Sequence, residues 1–293
     1  MLDGDEVIGF VGLGRMGQAI AARLLEANRE LIVWNRSAQA CDALLERGAE
    51  MADTLGELVE RADLVLLCLG DAAAVEDVVF GEDGVAAFGS DDQMLVDLSS
   101  IDPAQTRRFA RELGQLCGMA WVDAPVAGDA QAAEEGELLV LAGGHEDDIE
   151  RVRPLLECIA RRVTRMGDTG AGQVAKLCHQ MLAGAAALAL AEAIAFAERS
   201  GIDAERLPEA LADGYADSLT VQVLGPRMAV RQFEPVIGRL GTLAQDLDTG
   251  VTAARAAGAA VPFTALAAQM LRQHALRTPP DEDLATLVEL YSV

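Results

Sequence analysis

The sequence predicts an α/β chain in two parts. A doubly wound, mostly parallel sheet is expected over residues 1–166, and an all-α domain over 167–293, joined to it by one long helix. Three observations lead there. Between residues 6 and 165, short β-rich runs alternate with amphipathic helical stretches, and the runs are almost continuously apolar, as strands buried on both faces must be. From Gly170 to Arg199 there is no proline and Ala and Leu dominate, which predicts a single helix of roughly eight turns. Beyond Gly201 every apolar stretch has helical rather than strand character. A chain of 293 residues is long enough for two such domains, each with its own core.

The elements follow in order. Val7–Val11 reads as the first strand and Met16–Ala27 as the helix after it. Leu31–Trp34 is the second strand, followed by a helical stretch at Ala38–Arg47. Leu64–Leu69, Met94–Asp97, Ala120–Asp123 and Leu138–Ala142 supply further strands, with an amphipathic helix at Pro103–Leu116. The long helix ends at Gly201, a residue able to take a left-handed cap. Helices are then expected at Ala204–Leu211, Leu219–Met228, Leu240–Ala257, Thr264–His274 and Asp281–Tyr291.

Charge narrows the partners. Against 47 Asp and Glu stand 23 Lys and Arg, a net charge of −24, whereas nucleic acid or an anionic membrane would need a basic surface. An anionic ligand must therefore be held by a few local positive groups. The five cysteines, Cys41, Cys68, Cys117, Cys158 and Cys178, are widely spaced with no C-x-x-C pair. They read as small core residues in a reducing compartment rather than a zinc or dithiol site. The opening MLDGDEVIGF has neither a basic region nor a long apolar run, so no secretory leader is expected and the location expected is cytoplasmic. Residues 181–197 are membrane-like in composition but short for a bilayer span and interrupted by Glu192. A buried helix is the better reading.

The first strand runs directly into Gly12-Leu13-Gly14-Arg15-Met16-Gly17. A lone G-x-G-x-x-G is weak, but one that follows a strand and opens a helix is the fingerprint of a Rossmann dinucleotide site. Gly12 permits the tight turn, Gly14 lets the backbone approach a pyrophosphate, and Gly17 lets helix and strand pack closely. The helix N-terminus adds N–H groups and a positive dipole end. The second strand ends in Trp34-Asn35-Arg36-Ser37. An enzyme for NAD usually carries Asp or Glu here for the ribose 2′-hydroxyl. Asn35 lacks that charge, and Arg36 and Ser37 offer a guanidinium and a hydroxyl to a 2′-phosphate, so NADP is expected over NAD.

At the domain junction Lys176 lies almost two turns into the long helix, with His179 and Gln180 at i+3 and i+4 able to share its face. It is an isolated cation in an apolar stretch; the next basic residues are His179 and then Arg199. Two readings stand level on spacing alone: a proton-transfer lysine in a partly buried site, or a surface lysine laid along apolar neighbours.

Four segments together resemble the β-hydroxyacid dehydrogenases, the family of 3-hydroxyisobutyrate dehydrogenase and tartronate semialdehyde reductase. They are GFVGLGRMG; the D-x-S-[ST]-x-x-P turn at Asp97–Pro103; Asp123-Ala124-Pro125-Val126-Ala127-Gly128, similar to D-A-P-V-S-G; and the G-x-x-G-x-G-x-x-x-K block at Gly167–Lys176. The resemblance spans essentially the whole chain. It implies that Lys176 is the acid/base, with the nicotinamide carrying the hydride and no metal required. It implies that Val126, Ala127 and Gly128 hold a substrate carboxylate, that His179 and Gln180 help orient the substrate, and that Leu69, Ser99 and Gln245 belong with the cofactor set. An active site between the domains, a small carboxylate substrate and a homodimer or homotetramer are further implications. The chain departs from the pattern at four places. Ala127 replaces the family Ser, Asp129 a Gly, His179 the usual Asn, and Gln245 the Lys of the late K-D-L motif, all of which bear on substrate choice. Imine reductases share the two-domain plan but usually lack this lysine. A non-catalytic NADP-binding protein is the alternative from a different class.

Overall fold

The computed structural model describes residues 6–291; residues 1–5, part of the stretch read for a leader, lie outside the described residues. The chain divides into two compact units, Met1–Lys176 and Leu177–Val293. The sequence reading puts the boundary at 166/167, just ahead of the long helix, whereas the contacts divide inside that helix.

Unit 1 carries nine strands among the described residues: β1 (Val7–Val11), β2 (Glu30–Trp34), β3 (Glu50–Met51), β4 (Leu64–Leu67), β5 (Met94–Asp97), β6 (Ala120–Asp123), β7 (Val126–Ala127), β8 (Leu138–Gly143) and β9 (Ala160–Gly167). They form one sheet in the order β3-β2-β1-β4-β5-β6-β8-β7, with β9 also paired to β8. β3, β2, β1, β4, β5 and β6 are parallel neighbours; β8 runs antiparallel to β6 and β7, and β9 parallel to β8. This is the doubly wound order that the alternation of elements predicts.

Helices α1 (Arg15–Glu26), α2 (Asp42–Leu45), α3 (Leu55–Arg61), α4 (Ala72–Phe80), α5 (Val85–Phe88), α6 (Pro103–Leu116), α7 (Ala130–Glu135) and α8 (Glu146–Ile159) connect the strands. Two apolar layers flank the sheet because successive strand residues point to opposite faces. Leu64 and Leu66 of β4 enter one layer with Phe10 and Ile20, while Val65 and Leu67 enter the other with Phe109 and Trp121.

Three differences from the sequence reading have local causes. Residues 38–47 hold a 3₁₀ turn, Ala38–Cys41, before the short α2 rather than one helix. β3 and β7 are two residues long and carry no readable period. β9 has the sequence ARRVTRMG, and most of its side chains are exposed or half-buried. An edge strand with a polar face does not look like the apolar runs of the interior.

In unit 2 the helix α9 (Ala171–Arg199), which begins in unit 1, continues and packs with α10 (Leu207–Leu211), α11 (Leu219–Val230), α12 (Leu240–Ala256) and α13 (Pro262–Ala275). Its Leu190, Ala191 and Ile194 form the core with Met228, Leu243, Leu247 and Leu271. A Cβ on Gly184 would lie 3.0 Å from Leu247, so the glycine lets α9 and α12 approach closely. By length and composition α9 could cross a bilayer, its mean hydropathy reaching 1.6 over 18 residues. The final segment Leu284–Tyr291 is a 3₁₀ helix, not the α-helix expected from Asp281. Buried Asp283 takes N–H groups from Ile237 and Ala285 there, an arrangement that spacing alone does not show.

Candidate active site

The glycine-rich turn sits at the C-terminal end of β1. Gly12 has φ 98°, and a Cβ there would lie 2.4 Å from the Cys68 carbonyl oxygen, so the turn presses against the end of β4. A Cβ on Gly17 would fall 2.0 Å from the Gly12 carbonyl oxygen, which only glycine allows. Gly14, the N-cap of α1, is the opposite case: it is exposed and a Cβ there would meet nothing within 4 Å. The chain needs no glycine at Gly14 for its own packing. The space beside it fits an approaching pyrophosphate, with the first-turn N–H groups of α1 beyond it. The first helical bond of this turn runs from Gln18 N–H to Gly14 C=O, at 2.8 Å. Arg15 is exposed and Met16 half-buried on the same turn.

At the end of β2, the Asn35 carboxamide ties the two loops together. Its Oδ1 accepts from Leu13 N–H at 3.0 Å and its Nδ2 donates to the Ser37 carbonyl at 3.1 Å. A carboxylate could make the first bond but not the second. Asn35 thus has a structural task in addition to its lack of charge, and it leaves Arg36 and Ser37 exposed at the rim. The cradle continues along the strand ends, where Ser99 Oγ accepts from Leu69 N–H at 2.9 Å.

Beside it lies a buried polar network. Asp97 Oδ1 accepts from Ser99 N–H at 3.0 Å, while its Oδ2 is buried with no partner. Burial pushes the Asp97 carboxyl up to about 7, its neighbour Asp123 adding to the effect. Asp123, at the end of β6, accepts from Gly170 N–H at 2.6 Å and Gln173 N–H at 3.0 Å. Burial still raises it to about 6, the backbone N–H groups of the α9 start working in the other direction. Gln173 donates to the Ser99 carbonyl at 2.8 Å and accepts from Ile101 N–H at 3.1 Å. One turn on, Lys176 is buried at 9% exposure, which counts against a lysine spread over the surface.

In the substrate segment, Val126 and Ala127 are buried and pair with Val140 and Leu139 of β8. Gly128 lies just beyond that strand at φ 137°. Asp129 is the N-cap of α7, its Oδ1 accepting from Ala132 N–H at 2.9 Å. This departure from the family pattern therefore has a structural use.

Unit 1 thus brings together Gly12–Gly17, Asn35–Ser37, Leu69 and Ser99 at adjoining strand ends, and it also contains Val126–Gly128 and Lys176. The remaining expected residues belong to unit 2. There His179 Nδ1 lies 3.0 Å from Gln180 Oε1, and Gln180 Nε2 donates to Asp246 Oδ2 at 2.5 Å. The Gln180 carboxamide thus links His179 to Asp246. Gln245, next in sequence to buried Asp246, is exposed on α12. Sequence reasoning did not single out Asp97, Asp123, Gln173 or Asp246. All four stand inside the quoted motifs, but only the contacts give them tasks.

Residues 7–167 match the family profile described as the NAD binding domain of 6-phosphogluconate dehydrogenase. Residues 170–291 match that described as NAD-binding of NADP-dependent 3-hydroxyisobutyrate dehydrogenase. The chain is 35% identical over 282 residues to the 2-hydroxy-3-oxopropionate reductase of Escherichia coli (strain K12), covering 96% of each. Among solved structures, it superposes on the Mycobacterium tuberculosis 3-hydroxyisobutyrate dehydrogenase with L-serine at a TM-score of 0.89. Identity there is 26%, over 99% of this chain and 100% of that one. Psf3 in complex with NADP+ and 2-OPP gives a TM-score of 0.88 at 26% identity, over 97% and 100%.

Proposed function

The chain belongs to the β-hydroxyacid dehydrogenase family, an NAD(P)-dependent dehydrogenase or reductase, and from that premise we propose that it uses NADPH to interconvert a small semialdehyde and its β-hydroxy acid, of the 2-hydroxy-3-oxopropionate or 3-hydroxyisobutyrate class, with Lys176 as acid/base. The observation that carries this reading is the pairing, in one unit, of a cradle with open space at Gly14 and a buried lysine on a helix bonded to the same strand ends. Gly12–Gly17 would hold the pyrophosphate and Arg36 and Ser37 the 2′-phosphate. The nicotinamide, when bound, supplies or receives the hydride. Lys176 gives a proton to the carbonyl oxygen as that carbon is reduced, and takes it back from the hydroxyl in oxidation. Val126–Gly128 orient the acid end of the substrate.

The test is NADPH and NADH oxidation against semialdehydes, oxo acids and cyclic imines, with two variants. Turnover of a semialdehyde with NADPH preferred is expected. Arg36→Ala should weaken NADPH by roughly 10- to 100-fold and leave NADH unchanged. Lys176→Met should lower kcat by at least about 100-fold while NADPH binds normally. Equal use of the two cofactors would refute the NADP assignment, and turnover of imines alone would move the chain to the imine reductases.

A further inference from the structure

We propose that Asp123 and Gln173 are positioning residues for Lys176, locking the first turn of α9 at one height and one rotation against the ends of β5 and β6. The inference rests on the acid/base role assigned to Lys176 above.

A helix start normally leaves its first N–H groups to water or to a nearby cap. Here a carboxylate from a strand 47 residues earlier takes two of them, Gly170 N–H at 2.6 Å and Gln173 N–H at 3.0 Å. That bond pair sets the height of α9 over β6. The Gln173 side chain, 1% exposed, spends both ends of its carboxamide on the loop after β5, at Ser99 C=O and Ile101 N–H. A planar group bonded at both ends resists rotation of the helix about its axis. Backbone approach leaves no slack: a Cβ on Gly172 would lie 2.3 Å from the Leu141 carbonyl oxygen and 2.8 Å from that of Asp123. Lys176 is three residues beyond Gln173 and shares its side of the helix. A small slip in either tether moves the ammonium by a comparable amount. Displacements of about 1 Å at a reacting group can cost on the order of 100-fold in rate. The loop held by Gln173 also contains Ser99, whose hydroxyl meets Leu69 N–H in the cradle, so one carboxamide joins the lysine helix to the cofactor side.

A cap that only stabilised the fold would predict something different, and a double-mutant cycle separates the two. Gln173→Met is expected to lower kcat about tenfold or more, with substrate KM and NADPH Kd changed less than about threefold. In the Lys176→Met background the same substitution should cost little further, because the group it positions is gone. Asp123→Asn, which keeps one acceptor and loses the other, should behave alike but more mildly, and it carries the same cycle if Gln173→Met fails to fold. Equal losses in both backgrounds, or a folded variant with unchanged kcat, would overturn the proposal. If Lys176→Met alone kept its activity, the acid/base assignment itself would fail, a result visible before the second substitution is added.

Discussion

Among single residues, Asp97 carries an unusual load. It is fully buried, one oxygen has no partner, and its carboxyl is pushed up to about 7 by burial, with Asp123 nearby at about 6. An unfolded Asp titrates near 4. Between roughly pH 4 and pH 7 the folded chain therefore holds protons that the unfolded chain has released. The contribution to stability is greatest below that window and is lost as pH rises through it. Asp97→Asn keeps an acceptor for Ser99 N–H and carries no charge at any pH. We expect it to raise Tm by a few degrees at pH 8, roughly 2–4 °C for each kcal/mol in a chain of this size, and to gain much less at pH 5. Thermal unfolding of both proteins at the two pH values checks this; a variant less stable at pH 8 would mean that the ionised carboxylate is stabilising. Asp97, Asp123 and Gln173 all lie within recognisable motifs. Nothing in their spacing distinguishes a buried, bonded carboxylate from an ordinary strand-end Asp. Likewise Asp129 reads as an anion added to a substrate segment and is the cap of α7.

Among elements, the glycine-rich turn shows how one motif serves two masters. Gly17 is required by the fold, since its Cβ would strike the Gly12 carbonyl, whereas Gly14 is required by nothing in the chain itself. Gly17→Ala should destabilise the protein by about 1–3 kcal/mol, the usual range for overpacking, and lower its Tm accordingly. Gly14→Ala should leave the Tm of the cofactor-free protein within about 2 °C while weakening NADPH about tenfold or more, because the methyl group intrudes where the phosphates pass. Calorimetry with and without NADPH tests the pair, and equal effects of the two substitutions would contradict the division. This division was legible in the motif, because each glycine's task follows from strand, turn and helix in sequence. β9 was not, since its pairing with β8 is what makes an arginine-rich segment a strand.

For the whole molecule the question is what covers α9. Parts of its surface and of unit 2 are apolar and open in the single chain: Leu182 is 75% exposed, Phe196 71% and Phe263 80%. Leaving such side chains in water forgoes hydrophobic stabilisation, and a second copy presenting the same faces could bury them. A homodimer or homotetramer is the expected state. Light scattering at micromolar concentration should give a multiple of 30.8 kDa. A clean single-chain mass would refute this, and Phe196→Asp should shift any oligomer toward that mass.

By itself the sequence determined the alternation of interior strands and helices, the long helix and the glycine-rich turn, because each is written in local periodicity or in glycines whose reasons are steric and near at hand. Lys176 stood out only as one cation in an apolar stretch, with two readings level until its burial was known. Tertiary structure alone decided which polar side chains have work to do. Asp123 meets Gly170, Gln173 meets Ser99, Gln180 meets Asp246, each across 47 to 74 residues of chain. Such pairs leave no periodic mark. A buried carboxylate or carboxamide is tolerated only where distant backbone groups converge on it, and that convergence exists only once the strands and helices have packed.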